Sequence, residues 1–78
     1  MPTVLRKGAY RFFFYAGDKN EPLHIHVERD DCEAKFWLDP VALEKNVGFG
    51  RNELVAIEKL VKQNAAVLMR GWHDYFDE

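Results

Sequence analysis

The sequence predicts an α+β domain, in which an antiparallel sheet of three to four strands is followed by one or two C-terminal helices packed on one sheet face. Two runs, residues 23–29 and 33–39, alternate between apolar and polar side chains, as half-buried strands do. An aromatic run over residues 9–16 is apolar on both faces, which is typical of a strand covered on both sides. From residue 51 onwards, apolar side chains recur at the spacing of a helix.

The size and composition indicate one small ordered domain. The chain has 78 residues, of which 47% are hydrophobic and 31% charged, so we expect a single domain over residues 1–78 with one small core. Cys32 is the only cysteine, which excludes an internal disulfide and a cysteine-based zinc site and fits a reducing cytosol. No segment is apolar over the length of a membrane span. These features predict a cytoplasmic protein.

The charge distribution gives little support for nucleic-acid binding in bulk. The formal net charge is −2, although the first fifteen residues contain three basic side chains and no acid. A local basic patch therefore remains compatible with the sequence, and RNA stays a candidate ligand.

The first half of the chain is predicted to form strands. The run "AYRFFFYA" is followed by the polar loop "GDKNEP", as expected for a strand and its connection. A short edge strand over residues 3–6 and a further short strand over residues 41–45 are both compatible with the sequence, and "NVGF" is typical of a turn. One face of the aromatic strand carries Tyr10, Phe12 and Phe14, and the other carries Phe13 and Tyr15.

Residues 22–39 are predicted to form a hairpin around the polar connection "RDDC". If Glu28 pairs with Glu33, His26 lies opposite Lys35 and His24 lies opposite Trp37. One face is then apolar, and the other carries His24, His26, Glu28, Glu33, Lys35 and Trp37.

The C-terminal third is predicted to be helical but not straight. A single helix over residues 51–76 would be about 39 Å long, whereas a domain of this size has a radius of gyration near ~12 Å. We therefore expect a break near "KQN", with Asn64 ending one helix and capping the next. His73 is expected to face solvent beside Arg70. The core stripe is expected to include Leu54, Ile57, Val61, Ala65, Leu68, Trp72, Tyr75 and Phe76.

Several motifs together resemble a family of small bacterial proteins, the domain of unknown function 4160 family. They are "YRFFFYAGDKNEPLHIHVE", "AKFWLDPV", "GF..NEL" and "WHDYF", and they cover nearly the whole chain. Leu23 stands where many relatives have a second proline, and Gly50 stands where a Ser-like cap is common. The resemblance implies a neighbouring small gene, in an arrangement similar to a type II toxin–antitoxin pair with this chain as the toxin-like component.

The two histidines suggest a metal site only weakly. His24 and His26 lie about 6.5 to 7 Å apart along one strand face, so they could share an ion. A zinc ion would need further ligands from His73, Glu28 or another acid. Because His-x-His is common and there is no cysteine cluster, we expect no cofactor and no tightly bound structural metal.

A second interpretation is metal-independent RNA cleavage by a toxin-like endoribonuclease. His24 and His26 would act as base and acid, because an ordinary histidine titrates near neutral pH. Lys35 or Arg11 would hold the phosphate. Trp37 or Phe13 would stack on a base.

The third interpretation is a non-enzymatic interaction surface. Aromatic, histidine and arginine side chains suit a partly buried interface, and the sheet face without helices needs a cover. We expect exposed aromatic area near His24 and Trp37, with Arg11, Phe13 and Glu28 beside it. The protein would then dimerise or bind the neighbouring-gene product, and the sequence leaves enzyme and interaction module as open alternatives.

Overall fold

The computed structural model describes residues 3–76, which form an antiparallel sheet followed by two helices. The strands follow one another in the sheet in chain order, β1-β2-β3-β4-β5, and the helices pack on one sheet face. None of the helices in this part of the chain has the length and apolar character needed to cross a membrane. The elements are β1 Thr3–Lys7, β2 Tyr10–Phe13, a 3-10 helix at Ala16–Asn20, β3 His24–Arg29, β4 Cys32–Leu38, β5 Val41–Val47, α1 Arg51–Gln63 and α2 Ala65–Phe76.

The α+β class and the order of elements are confirmed, but the expected number of strands is wrong. Both optional segments form strands, so the sheet has five strands rather than three to four. β5 extends two residues beyond the expected end at Lys45, and its residues after Val41 are all exposed. An exposed edge strand lacks the apolar alternation that marks a half-buried strand, so its sequence signal is weak.

The central hairpin has the predicted register. Glu28 pairs with Glu33, His26 with Lys35 and His24 with Trp37, so these side chains share one face. The opposite face of the hairpin belongs to the core that the helices cover, with Ile25, Val27, Ala34, Phe36 and Leu38 among its members.

The aromatic strand is shorter than predicted because the chain leaves the sheet after Phe13. Phe12 and Phe14 join the core under the helices, whereas Phe13 is completely buried on the other face. The 3-10 helix follows and places Asp18 over that second face, against His24 and His26. The chain therefore covers part of the second face itself.

The helical region breaks at Asn64 as predicted, and the radius of gyration is 11.5 Å. The Asn64 side-chain amide donates to the Leu60 carbonyl at 2.8 Å, so this side chain closes the end of α1. The first bond of α2 uses the Asn64 backbone carbonyl, which accepts from the Leu68 amide at 2.9 Å. The expectation that Tyr75 lies in the core is wrong: Tyr75 is 47% exposed, whereas Phe76 packs against the core.

The turn after β5 begins at Gly48, later than the predicted turn. Gly48 has φ +97°, a conformation that a residue with a side chain rarely adopts. The Asn46 side chain holds the turn closed, because its amide group donates to the Phe49 carbonyl at 3.0 Å and its oxygen accepts from the Phe49 amide at 3.2 Å.

A polar cluster ties the sheet to the start of α1. The Glu53 carboxylate accepts hydrogen bonds from Arg29 Nε at 2.6 Å, from Arg29 Nη2 at 2.8 Å and from the Tyr10 hydroxyl at 2.8 Å. The Arg29 hydrogen bond, helped by that of Tyr10, holds the pKa of Glu53 below its usual 4.5. Tyr10, in turn, has its pKa raised by burial and by Glu53.

This cluster makes stability depend on pH in acid. The pKa of Glu53 is lower in the folded protein than in the unfolded chain, so between these two pKa values the unfolded chain binds more protons. The contribution of Glu53 to the free energy of unfolding is therefore fully present above about pH 4.5 and is lost as the pH falls through the folded pKa. We expect the difference in free energy of unfolding between wild type and Glu53→Gln to be largest near neutral pH and to shrink in acid. Urea unfolding at several pH values measures it. Glu58→Gln, which removes an exposed pair with Lys62 on one helix, should change stability by only about 0.2–0.5 kcal/mol. A Glu53→Gln difference that stays constant or grows in acid would contradict the assignment.

Candidate functional site

Asp18 lies at the centre of the polar cluster on the second sheet face. Its Oδ2 is 3.1 Å from Nε2 of His24 and 3.1 Å from Nε2 of His26, and the residue is only 8% exposed. The 3-10 helix fixes its position, because Asp18 Oδ2 accepts from the Tyr15 amide at 2.8 Å and the Asp18 amide donates to the Tyr15 carbonyl at 3.1 Å. One carboxylate oxygen therefore faces two imidazoles.

His24 is completely buried, and its tautomer follows from its partners. Its Nδ1 lies 2.9 Å from the Pro22 carbonyl, and a carbonyl can only accept, so Nδ1 carries a proton. In the neutral ring, Nε2 then carries the lone pair. It lies 3.1 Å from Asp18 Oδ2, but the geometry there does not suit a hydrogen bond. The rings of Trp72 and Trp37 pack against the His24 ring, at centroid distances of 5.1 and 5.9 Å respectively.

His26 lies nearer the surface and is held by Asp18 through one ring nitrogen. Its Nε2 forms a hydrogen bond with Asp18 Oδ2, whereas its Nδ1 is buried without a hydrogen-bond partner, 3.4 Å from Oε2 of Glu33. Burial lowers the pKa of His26, although the charge of Asp18 acts in the opposite direction. The rings of Phe13 and Tyr15 pack against it at 5.4 and 4.6 Å.

A pocket of about 560 Å³ opens beside His26 on the same face. Its charged lining residues have both signs: Glu33, Lys35, Glu44 and Lys45. The Tyr15 hydroxyl donates to the Glu33 carboxylate at 3.2 Å, and burial together with Glu33 raises the pKa of Tyr15. The charged side chains of the lining therefore balance one another, and the pocket is not strongly basic.

A second groove of about 400 Å³ lies at the end of the hairpin, beside Trp37. Its lining is mostly apolar and consists of Pro22, Leu23, Trp37, Asp39, Pro40 and Ala42. Trp37 is half-buried, and the ammonium group of Lys35 lies 4.8 Å from its ring centroid. Lys35 also forms an ion pair with Glu21 at 2.5 Å.

Some of the predicted site residues lie together on one face, and others are buried. His24, His26, Lys35 and Trp37 share a face, as predicted. His24 and Phe13 are themselves completely buried, so neither presents its own side chain to solvent. His73 is exposed on α2 and, within residues 3–76, is outside the cluster with metal-ligand spacing.

The residues Arg11, Phe13 and Glu28 form a neighbouring group. Arg11 Nε lies 3.1 Å from the Glu28 carboxylate, and its guanidinium carbon lies 4.1 Å from the Phe13 ring centroid. Arg11 also donates to the Thr3 hydroxyl at 2.9 Å. Its guanidinium is thus engaged in the folded chain.

Sequence reasoning missed Asp18 as a functional candidate, together with Tyr15 and Glu33. A usable signal existed for Asp18, because the loop "GDKNEP" joins two neighbouring strands and must begin and end at the same edge of the sheet. The only acids of that loop are Asp18 and Glu21, and either could return over the histidine face. The direction in which a loop folds is not encoded in strand alternation.

The comparisons place this five-stranded α+β chain, with its His-x-His strand, in a class of small domains without an assigned activity. The chain belongs to the family described as Domain of unknown function (DUF4160), whose family model matches residues 9–73. It is also 38% identical, over a 60-residue alignment, to the "Xylose import ATP-binding protein XylG" of Moorella thermoacetica. That alignment covers 64% of this chain and 12% of the length of the XylG protein. No solved structure matches the chain.

Proposed function

We propose that this protein is an interaction module, which binds a partner protein by accepting an apolar side chain into the groove beside Trp37. The observation that carries the proposal is a half-buried tryptophan in an apolar groove, on the sheet face opposite the helices. Tryptophan is among the residue types that contribute most to binding when a partner completes their burial. At ~25 cal/mol per Å², burying a few hundred Å² there would contribute several kcal/mol before association costs are subtracted.

The β5 edge of the sheet favours docking on the face over pairing of strands. β5 is an edge strand, and its pairing with β4 is interrupted by a register shift between Lys35 and Phe36. Its exposed residues include Glu44 and Lys45. A bulge and charged side chains are the features by which natural edge strands avoid adding another strand.

The proposed partner is the product of the neighbouring gene that the family resemblance implies. The charged residues beside the groove, Asp39 and the Glu21–Lys35 pair, would form a polar rim around an apolar contact. We therefore expect a partner surface with one apolar or aromatic side chain at its centre and charged groups around it.

Replacing Trp37 with alanine should weaken this complex by at least about tenfold, because it removes the wall of the groove. Isothermal titration calorimetry with the purified neighbouring-gene product measures the affinity, and circular dichroism checks the fold. The matched control is Tyr75→Ala, an exposed aromatic side chain on α2, which should leave the affinity unchanged. A further comparison is the loss of binding affinity divided by the loss in free energy of unfolding. This ratio should be smaller for Trp72→Ala than for Trp37→Ala.

Three results would contradict the proposal. They are an unchanged affinity in Trp37→Ala, a wild-type protein that forms no complex with the neighbouring-gene product, and equal weakening by the Tyr75→Ala control. Dimerisation through the groove, detected by analytical ultracentrifugation and removed by Trp37→Ala, would replace the partner with a second copy of this chain.

A second candidate function, a toxin-like endoribonuclease that acts without metal, is favoured by one feature of His26. Asp18 holds Nε2 of His26, and Nδ1 faces Glu33 next to a pocket that also contains Lys35 and Lys45. An imidazole oriented by a carboxylate can act as a general base through its other nitrogen. Because Nδ1 of His26 is buried beside Glu33, this candidate requires Glu33 to move aside when RNA binds. His24 is completely buried, so in this candidate it supports Asp18 instead of touching RNA.

Cleavage of RNA in the presence of EDTA would test this second candidate. Wild type should cleave, His26→Gln should not, and His73→Gln should retain activity. Absence of growth inhibition and of RNA cleavage by the wild type would exclude it and leave the interaction module.

A further inference from the structure

We propose that Asp18, His24 and His26 form a binding site for one divalent transition-metal ion of the Zn²⁺ class. The ligands would be Nε2 of each histidine and one carboxylate oxygen of Asp18. This site adjoins the Trp37 groove, because Trp37 packs against His24 and Pro22 lines the groove. None of the three proposed ligands lines the groove, so the inference does not depend on the interaction proposed above.

The spacing of the three donor atoms is close to that required by an ion. Zinc binds histidine nitrogen and carboxylate oxygen at about 2.0–2.2 Å, so ligand atoms around a tetrahedral ion lie roughly 3.3 Å apart. Asp18 Oδ2 is 3.1 Å from each Nε2, and all three donor atoms lie within 4.8 Å of one another. Small side-chain adjustments would therefore complete the geometry.

The hydrogen bonding of His24 prepares its Nε2 as a ligand. Because Nδ1–H donates to the Pro22 carbonyl, Nε2 of the neutral ring carries a lone pair, and it lies 3.1 Å from a carboxylate oxygen that also carries only lone pairs. His24 is completely buried, so water does not satisfy this atom at the protein surface. A buried acceptor facing an anion is unfavourable, and a cation between the two atoms removes the conflict.

The same ion would satisfy a second buried nitrogen. Within residues 3–76, the buried side-chain polar atoms without a hydrogen-bond partner are Nε2 of His24 and Nδ1 of His26. When Nε2 of His26 binds a metal, the ring proton resides on Nδ1, which lies 3.4 Å from the Glu33 carboxylate. One bound ion therefore explains both unpartnered nitrogens.

Each ligand also has an outer partner that would orient it. The Pro22 carbonyl holds His24, the Tyr15 amide donates to Asp18, and Glu33 faces His26. Metal-binding histidines usually donate their second N–H to a carbonyl or carboxylate, and ligating carboxylates are themselves hydrogen-bonded. The cluster has this arrangement around all three side chains.

The donor set selects the class of metal. Calcium and magnesium prefer oxygen ligands, whereas two imidazoles and one carboxylate suit zinc, cobalt, nickel or ferrous iron. Three protein ligands leave a coordination position open for water or another small ligand. The proposal departs from the sequence-based expectation of no tightly bound metal, which was drawn from cysteines and histidines without Asp18.

Protein purified without a histidine tag and stripped with EDTA tests the site. We expect Co²⁺ to bind in a 1:1 ratio with visible absorption bands of a low-symmetry site, and Zn²⁺ to compete for it. Asp18→Asn should weaken Zn²⁺ binding by more than the roughly 10–100-fold that loss of an outer partner costs. His73→Gln, which changes a histidine outside the cluster, should bind as wild type does.

If Asp18→Asn does not fold, a second variant and a spectroscopic measurement still test the metal site. Glu33→Gln should weaken Zn²⁺ binding by about 10–100-fold, because Glu33 acts through His26. Nuclear magnetic resonance of the ring nitrogens should show the His26 proton moving from Nε2 to Nδ1 when Zn²⁺ is added.

Three outcomes would overturn the proposal. The first is no 1:1 binding of Co²⁺ or Zn²⁺ at millimolar metal. The second is equal binding by wild type and both the Asp18 and Glu33 variants. The third is ring-nitrogen spectra in which His24 is doubly protonated and unchanged by Zn²⁺, since the cluster would then be only an imidazolium–carboxylate pair.

Discussion

Replacing Trp72 with alanine is expected to lower the free energy of unfolding by about 3–5 kcal/mol. Trp72 is 5% exposed and packs against Phe14, Phe76 and His24, with ring-centroid distances of 5.3, 4.5 and 5.1 Å. The substitution removes a large buried ring and leaves a cavity where α2 meets the sheet. A chain of this length is typically stable by only about 4–12 kcal/mol, so the expected loss is a large fraction of the total stability.

Urea unfolding followed by far-ultraviolet circular dichroism measures the loss. The control is Tyr75→Ala, three residues further along α2, because Tyr75 is exposed and should contribute within about 0.5 kcal/mol. A Trp72→Ala loss as small as that of the control would mean that Trp72 is not part of the core in solution.

The second large effect is expected at Gly71, where alanine should destabilise the protein although it is the better helix former. A Cβ atom at Gly71 would lie 2.5 Å from Cγ1 of Val4 in β1, closer than atoms can approach. Valine has few alternative rotamers with which to move away. Overpacking costs about 1–3 kcal/mol, whereas alanine in place of glycine gains at most about 1 kcal/mol in a helix. We therefore expect a net loss of up to about 2 kcal/mol.

A double-mutant cycle separates the two contributions. In the Val4→Ala background the overlapping methyl groups are gone, so Gly71→Ala should become neutral or stabilising. The measured quantity is the free energy of unfolding of the four proteins. Stabilisation by Gly71→Ala in the wild-type background would contradict the close packing of α2 on β1.

The metal and endoribonuclease hypotheses assign different tasks to His26. In the first, Nε2 binds the ion and Nδ1 donates to Glu33; in the second, Nε2 donates to Asp18 and Nδ1 accepts a proton. The tautomer of one ring therefore distinguishes them. Because the Trp37 groove is lined by other residues, either result leaves the interaction proposal to be judged by its own experiment.

The central hairpin and the helix break could both be predicted from the amino-acid sequence. A strand places successive side chains on opposite faces, so the alternation of residues 23–29 and 33–39 predicted that His24 and Trp37 share a face. Their pairing followed once Glu28 was set opposite Glu33 across the short connection. The helix break at Asn64 followed from length, since a straight helix would not fit a domain of this size. These are local properties, which depend on periodicity and chain length.

The atoms that surround the histidines could not be predicted from the sequence, because they depend on how distant segments pack. Asp18 is six and eight residues before His24 and His26, in a loop without periodicity, and the direction in which that loop folds decides that its carboxylate covers them. The same fold buries His24 and Phe13 completely, although strand alternation alone placed both on an open face. Burial depends on what a distant segment covers, and the pattern within one strand carries no information about that segment.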